Sequence, residues 1–238
     1  MVDLNKRCPS GIPGLDELIQ GGFPRGRTIL ISGTCGTGKT TLAVQFLYNG
    51  IKEYNEPGIL VTLEQTPEEL KRDMLEYGFD LEKYEKEGKL LILDQDRVSA
   101  DFGSIADTII NEAKEIGAKR AVIDSLGAMD FVSGGKYDVR KTLFTINKML
   151  KDAGLTTLFI AEISHGREEI SVHGVESYVL DGVIILTLHE ALDSRKIEIR
   201  KMRATKHSIK SREIEFTDKG LVVISEEGSK QPKKLSFI

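Results

Sequence analysis

Residues 33–40 read GTCGTGKT, a glycine-rich stretch closed by a lysine and a threonine. The spacing G-x-x-x-x-G-K-[ST] suits a loop that cradles a polyphosphate. Gly33, Gly36 and Gly38 let the backbone curl until its N–H groups point inward at phosphate oxygens, with Thr34, Cys35 and Thr37 completing the loop. Lys39 brings a cation to the β and γ phosphates. Thr40 and Thr41 open the helix that must follow, where the dipole favours an anion and the Thr40 hydroxyl can reach Mg²⁺. Chance composition produces this pattern in about one chain of this length in a hundred. The flanks lower that figure: TILIS (28–32) supplies the strand before the loop, and TTLAVQFLYNGIKEY the helix after it. Cys35 stands where backbone rather than side chain does the cradling. It reads as a small spacer, with a redox role as the alternative.

A bound triphosphate needs a second Mg²⁺ partner and a group to orient water. Ligands of open α/β sheets gather at the carboxyl ends of strands, so acids there come first. Asp124 ends RAVID and precedes Ser125, fitting an apolar strand that closes on a metal-binding aspartate; a plain capping acid is the alternative. Glu64 ends ILVTLE ahead of QTPEEL, a turn into a helix, and could take a proton from attacking water. As a lone acid it reads equally as an ordinary loop carboxylate. Glu162, at the end of TTLFIAE, is a candidate sensor of the γ-phosphate, and Asp94 closes a further strand that it could simply cap.

These residues need a frame, and the apolar pattern supplies one. TILIS, ILVTLE, LLILD (90–94), RAVID (120–124), TTLFIAE (156–162) and VIILTL (183–188) are short, continuous and rich in Ile, Leu and Val. Such runs suit strands buried on both faces, as a parallel sheet requires. Between them Phe102, Ala106, Ile109, Ala113 and Ile116 recur at helical spacing, as do Val139, Leu143, Ile146 and Leu150. Strand–helix alternation to residue 190 predicts an α/β doubly wound arrangement. Beyond it RKIEIRKM alternates, and REIEFTDKGLVVI places TDKG between two strands, predicting C-terminal β-hairpins. One domain over residues 1–224 is expected, followed by a polar tail at 225–238.

Composition bounds the rest. The 238 residues carry a net charge of −4 and 40% hydrophobic residues, ordinary for a globular chain. A pI near 5.7 argues against a general polyanion binder. No apolar run approaches the roughly 20 residues that span a bilayer. The start, MVDLNKRCPSG, has no apolar signal core, and the two cysteines, Cys8 and Cys35, are too few for a disulfide framework and lack metal-ligand spacing, so cytoplasm is the expected compartment. Against this acidic background, RKMRATKHSIKSR (200–212) holds six Lys/Arg, one His and no acid. A nucleic-acid patch and a solvated basic face are the immediate readings.

The segment CPSGIPGLDELIQGGFPRGRTILISGTCGTGKTTLA resembles KaiC-like and archaeal RadA-like proteins of the RecA superfamily of ATPases. LVTLEQTPEEL, AVIDS, HGVESYVLDGVIIL and IEIRKMRATKHS continue the resemblance, which is closest to KaiC-like single-domain proteins and runs from about Cys8 to about Ile224. It implies a RecA-like core with ATP and Mg²⁺, and a homo-oligomeric ring, usually six subunits, with nucleotide between neighbours. On this resemblance Glu64 matches the catalytic glutamate and Asp124 the metal-binding aspartate. Lys201 and Arg203 match a K-x-R pair that reaches the γ-phosphate held by the adjacent subunit. Strand parity agrees, since Lys201 and Arg203 share a face and Met202 takes the other.

Three departures stand out. The circadian-clock member has two such domains in tandem. KaiC-like proteins commonly carry two adjacent glutamates where this chain has Glu64 and Gln65. RadA recombinases carry an N-terminal DNA-binding domain, for which residues 1–10 leave no room. The loop that would hold single-stranded DNA, SHGREEISVHG (164–174), sets Arg167 against Glu168 and Glu169 and has no aromatic residue for base stacking. DNA is therefore not the expected partner. The expectation is an Mg²⁺-dependent ATPase acting as an oligomeric switch, with a recombinase, or an ATP-binding scaffold signalling to a protein partner, as alternatives.

Overall fold

The computed structural model describes residues 7–98, 102–127, 136–163 and 174–224. The elements in chain order are β1 (Arg7–Cys8), α1 (Leu15–Leu18), β2 (Phe23–Pro24), β3 (Thr28–Gly33), α2 (Lys39–Tyr54), β4 (Gly58–Thr62), α3 (Pro67–Leu75), α4 (Leu81–Lys86) and β5 (Leu90–Leu93). They continue with α5 (Phe102–Ile116), β6 (Arg120–Asp124), α6 (Lys136–Asp152), β7 (Thr156–Glu162), α7 (Glu176–Val179), β8 (Gly182–His189), β9 (Ser194–Met202), β10 (Arg212–Thr217) and β11 (Gly220–Val223).

Nine strands form one sheet in the order β11-β10-β9-β8-β3-β7-β6-β4-β5. The stretch from β8 to β5 is parallel, and β9, β10 and β11 add antiparallel at the other side. The continuous apolar runs have the expected cause. In β3, Ile29 and Ile31 face a core with Leu42, Phe46 and Leu47 of α2 and Leu70 of α3. Leu30 between them faces the other core, with Ile109 of α5 and Leu143 and Ile146 of α6. Both faces of the parallel strands are covered, so neither set of alternating side chains can be polar. Each such Leu or Ile contributes about 1.5–3 kcal/mol by leaving water.

The sheet order puts β3 between β7 and β8, with β6 and β4 beyond β7. The carboxyl ends of β3, β7, β6 and β4 therefore lie side by side along one edge. Register makes this concrete: Gly33 pairs with Glu162, and Thr62 with Asp124. The strand expected to run to Glu64 stops at Thr62. Thr66 caps α3 in a reciprocal capping box with Glu69, Pro67 takes the first helical turn, and the Thr62 hydroxyl donates to the Gln65 carbonyl. Glu64 thus sits on a short, well-held turn rather than on the strand itself. The tail at 225–238 and residues 164–173 of the SHGREEISVHG loop lie outside the described residues. Among the described residues, no helix is long and apolar enough to cross a membrane.

Candidate functional site

The phosphate loop joins β3 to α2, as its flanks predict, but its three glycines answer three different demands. Gly36 has φ +75° with open space around it, so its need is conformational. Gly33 has no left-handed backbone; a side chain there would meet the Leu186 carbonyl oxygen at 2.5 Å, so its need is room against β8. Gly38 needs both, with φ +96° and a would-be Cβ 2.6 Å from the Phe216 ring. Inside the loop, the Thr34 carbonyl accepts the Thr37 hydroxyl at 2.8 Å and Lys39 Nζ at 2.8 Å. Lys39 is buried, Cys35 is exposed, and Thr41 begins the packed face of α2.

At the next strand ends, the Thr40 hydroxyl donates to Asp124 Oδ2 at 2.7 Å. Burial pushes the Asp124 carboxyl up to about 6. The Thr40 hydrogen bond and Lys39 oppose that rise, while Glu64 and Glu162 add to it. A carboxylate and a hydroxyl facing a polyphosphate cradle form the hard-oxygen donor set that Mg²⁺ takes, with phosphate and water completing its shell. Glu64 is exposed, and its Oε1 accepts the hydroxyl of buried Ser125, which in turn accepts the Gly127 N–H at 3.2 Å. Asp94 behaves as a cap: its carboxylate accepts the Arg97 N–H. Gly36, Gly38, Lys39, Thr40, Glu64, Asp124, Ser125 and Glu162 line one cleft of about 390 Å³, within the range of ligand sites. A larger cavity, about 610 Å³, lies around Tyr48, Tyr77 and Phe79 and contains none of the expected site residues. Two of its polar residues are engaged within the fold, Gln45 with Leu221 in both directions and Asn49 with the Gly11 carbonyl.

Two contacts at the loop were absent from the sequence reading. Arg195 of β9 donates to the Gly36 carbonyl at 3.0 Å and stands 5.0 Å over the Phe216 ring, which itself closes on Gly38. The guanidinium thus ties the loop backbone at Gly36 to β9. Nothing in the local sequence marks Arg195 among the other cations of RKIEIRKM; only the position of β9 beside β8 brings it there.

Lys201 and Arg203 do not join this cleft in their own chain. Gly182, at the start of β8, pairs with Met202 and with Ile29, at the amino end of β3. The phosphate loop leaves the other end of that strand, about 13 Å away at strand rise. Lys201 and Met202 take opposite faces, but β9 ends at Met202, so Arg203 stands in the turn beyond the strand. Met202 is buried against Gly182, whereas Lys201 Nζ donates to the Ser177 and Leu180 carbonyls at 2.9 and 2.7 Å. Arg203 reaches Asp181 and the Tyr178 carbonyl with half of its side chain exposed.

A phosphate loop on the central strand of a mostly parallel sheet, strand-end carboxylates beside it and antiparallel hairpins beyond β8 together define a RecA-type ATPase core. A family model described as "ATPase: KaiC" matches residues 8–228. The chain belongs to this KaiC-like ATPase family. It is 36% identical over 238 residues to the UPF0273 protein MJ1359 of Methanocaldococcus jannaschii, covering 92% of this chain and 96% of that one. It is 38% identical over 212 residues to the circadian clock oscillator protein KaiC of Parasynechococcus marenigrum, matching 85% of this chain but 41% of that longer protein. Among solved structures, the KaiC-like protein PH0186 from Pyrococcus horikoshii superposes with a TM-score of 0.83 at 43% identity, over 92% of this chain and 99% of that chain.

Proposed function

We propose that the chain binds Mg·ATP in the GTCGTGKT cradle, hydrolyses it at junctions between copies in a ring, and acts as a nucleotide-driven switch. The observation that carries this reading is the separation of cradle and cations. Arg27, Lys151 and Arg203 converge on the Asp181 carboxylate, and Lys201 donates to the adjacent Ser177 and Leu180 carbonyls, at the sheet end remote from the chain's own phosphate loop. Burial lowers the Lys201 pKa and the neighbouring Arg203 charge lowers it further, with Asp181 opposing both. A polyphosphate bound on a neighbouring copy would supply an anion for this cluster of positive charge. A ring supplies both halves of the site at each junction.

In the proposed reaction the cradle amides and Lys39 hold the β and γ phosphates. Thr40 and Asp124 would hold Mg²⁺, which neutralises phosphate charge. Glu64 takes a proton from water as its oxygen attacks the γ-phosphorus and the bond to the ADP oxygen breaks. Ser125 fixes one Glu64 oxygen and leaves the other for water. Glu64→Gln should still bind ATP but turn over at least about a hundredfold more slowly, the scale of general-base losses. Phosphate-release assays on the two proteins test this. Wild type without turnover above buffer would leave an ATP-gated scaffold, and equal rates would assign the base to another group.

The Asp124 carboxylate must be ionised to hold the metal. Because burial raises its pKa to about 6, Mg²⁺-dependent ATP affinity should weaken as pH falls through 6. Titration calorimetry between pH 5 and 8 reads the step. The same step in Asp124→Asn would place it on a different group, the nucleotide's own phosphate included.

A further inference from the structure

Asp181 is 1% exposed, yet cations from three separate places converge on its carboxylate. Lys151 of α6 reaches it at 2.9 Å, Arg203 at 3.3 Å and Arg27 at 3.5 Å. Burial alone would raise this carboxyl, but the Lys151 hydrogen bond and charge, with Arg27, outweigh it and hold the pKa below the ordinary aspartate value. Lys151 and Arg27 already offset the cost of burying the acid. The contact with Arg203 therefore serves Arg203 more than it serves Asp181.

The grip on residue 203 is double. Its backbone N–H donates to the Asp181 carbonyl at 3.0 Å, and its guanidinium binds the Asp181 carboxylate and, at 3.4 Å, the Tyr178 carbonyl. Asp181 is itself fixed to the base of β3, its N–H donating to the Thr28 carbonyl at 2.9 Å. On the far side, Arg7 clamps the following turn through the Ala204 carbonyl and the Thr205 hydroxyl. A free arginine side chain samples many rotamers. Held at two acceptors, the guanidinium still has N–H donors to spare, and half of the side chain is exposed.

We infer that Asp181 is a positioning residue that fixes the direction in which Arg203 leaves the sheet, aiming it at the nucleotide on the adjacent copy. This rests on the reading in which Arg203 acts across the junction. Its reach ends there: Asp181 touches no substrate and acts only through Arg203.

Asp181→Asn keeps the shape and removes the charge. It should bind ATP with unchanged affinity, since its own cradle is intact, and lose about tenfold to a hundredfold in turnover, the scale of misplacing a reacting group by about 1 Å. Subunit mixing separates aiming from mere structural support. Mixed with Glu64→Gln, Asp181→Asn should regain activity, because some junctions then pair an intact Glu64 with an intact Asp181–Arg203 unit. Mixed with Arg203→Ala it should not, because no copy offers both residues. If Asp181→Asn fails to fold, Asp181→Glu, which keeps the charge but shifts it by one methylene, is put through the same mixtures. Wild-type turnover in a folded variant, lost ATP affinity, or no recovery with Glu64→Gln where Arg203→Ala does recover, each overturns the assignment. Wild-type turnover in Arg203→Ala alone overturns the cross-junction reading first, and leaves Asp181 nothing to aim.

Discussion

Lys39→Ala should leave the chain folded and weaken Mg·ATP binding by about two to four orders of magnitude. The size follows from two charge-assisted contacts to phosphate at about 1.5–3 kcal/mol each, with about 1.4 kcal/mol per decade of affinity. Folding is spared for a local reason. The contact that Lys39 Nζ makes is to the Thr34 carbonyl, and the Thr37 hydroxyl satisfies that same oxygen. The truncated side chain therefore strands no buried acceptor, and alanine is a good residue in the first turn of α2. Calorimetric titration of a variant that melts like wild type tests the expectation. Unchanged affinity in such a protein would remove the cradle assignment, however well GTCGTGKT matches its pattern.

The frame was legible because burial on two faces leaves a plain trace. TILIS, LLILD, RAVID and TTLFIAE are strands, and the helical spacings over 102–116 and 139–150 fall on α5 and α6. The hairpins were legible from alternation and from TDKG, which stands at the turn between β10 and β11. The early end of β4 carried a readable signal in Thr66, Pro67 and Glu69, the pattern of a capping box. The two-residue pairing of β1 with β2 carried none, because it is too short for any period to develop.

The site divides along the same line. Residues contiguous in sequence, from Gly33 to Thr41, were readable together, and Asp124 and Glu162 were readable as acids at strand ends, whereas Glu64 stands on the turn past its strand. What sequence could not show was the company they keep. Ser125 reaches Glu64, Arg195 reaches Gly36 and Asp181 gathers Lys151, Arg27 and Arg203, all through the lateral order of strands. Strand order is a non-local property that no window of residues encodes. The basic stretch at 200–212 shows the consequence, since six cations that look alike in sequence meet different fates. Arg200 pairs with Glu198, Lys201 and Arg203 fold onto 177–181, and the Lys206 side chain is exposed.

Arg203→Ala should lose about 10³–10⁵ in turnover, the value of an arginine that neutralises charge on a transferring phosphoryl group, while keeping its affinity for ATP. Affinity is retained because the cradle and the arginine belong to different copies. That division also predicts the shape of a mixing experiment. In a ring with head-to-tail contacts, each junction takes its cradle from one copy and its arginine from the next. Arg203→Ala and Glu64→Gln are each inactive alone. In an equal, freely exchanged mixture, about a quarter of junctions draw Glu64 from the first variant and Arg203 from the second, so about a quarter of the wild-type rate should return. The rate should peak at equal proportions and fall off on both sides, since it follows the product of the two fractions. An arginine acting within its own copy gives no recovery at any ratio. Flat, inactive mixtures with proven subunit exchange, or a monomer with full ATPase activity, would return Lys201 and Arg203 to an ordinary solvated basic face.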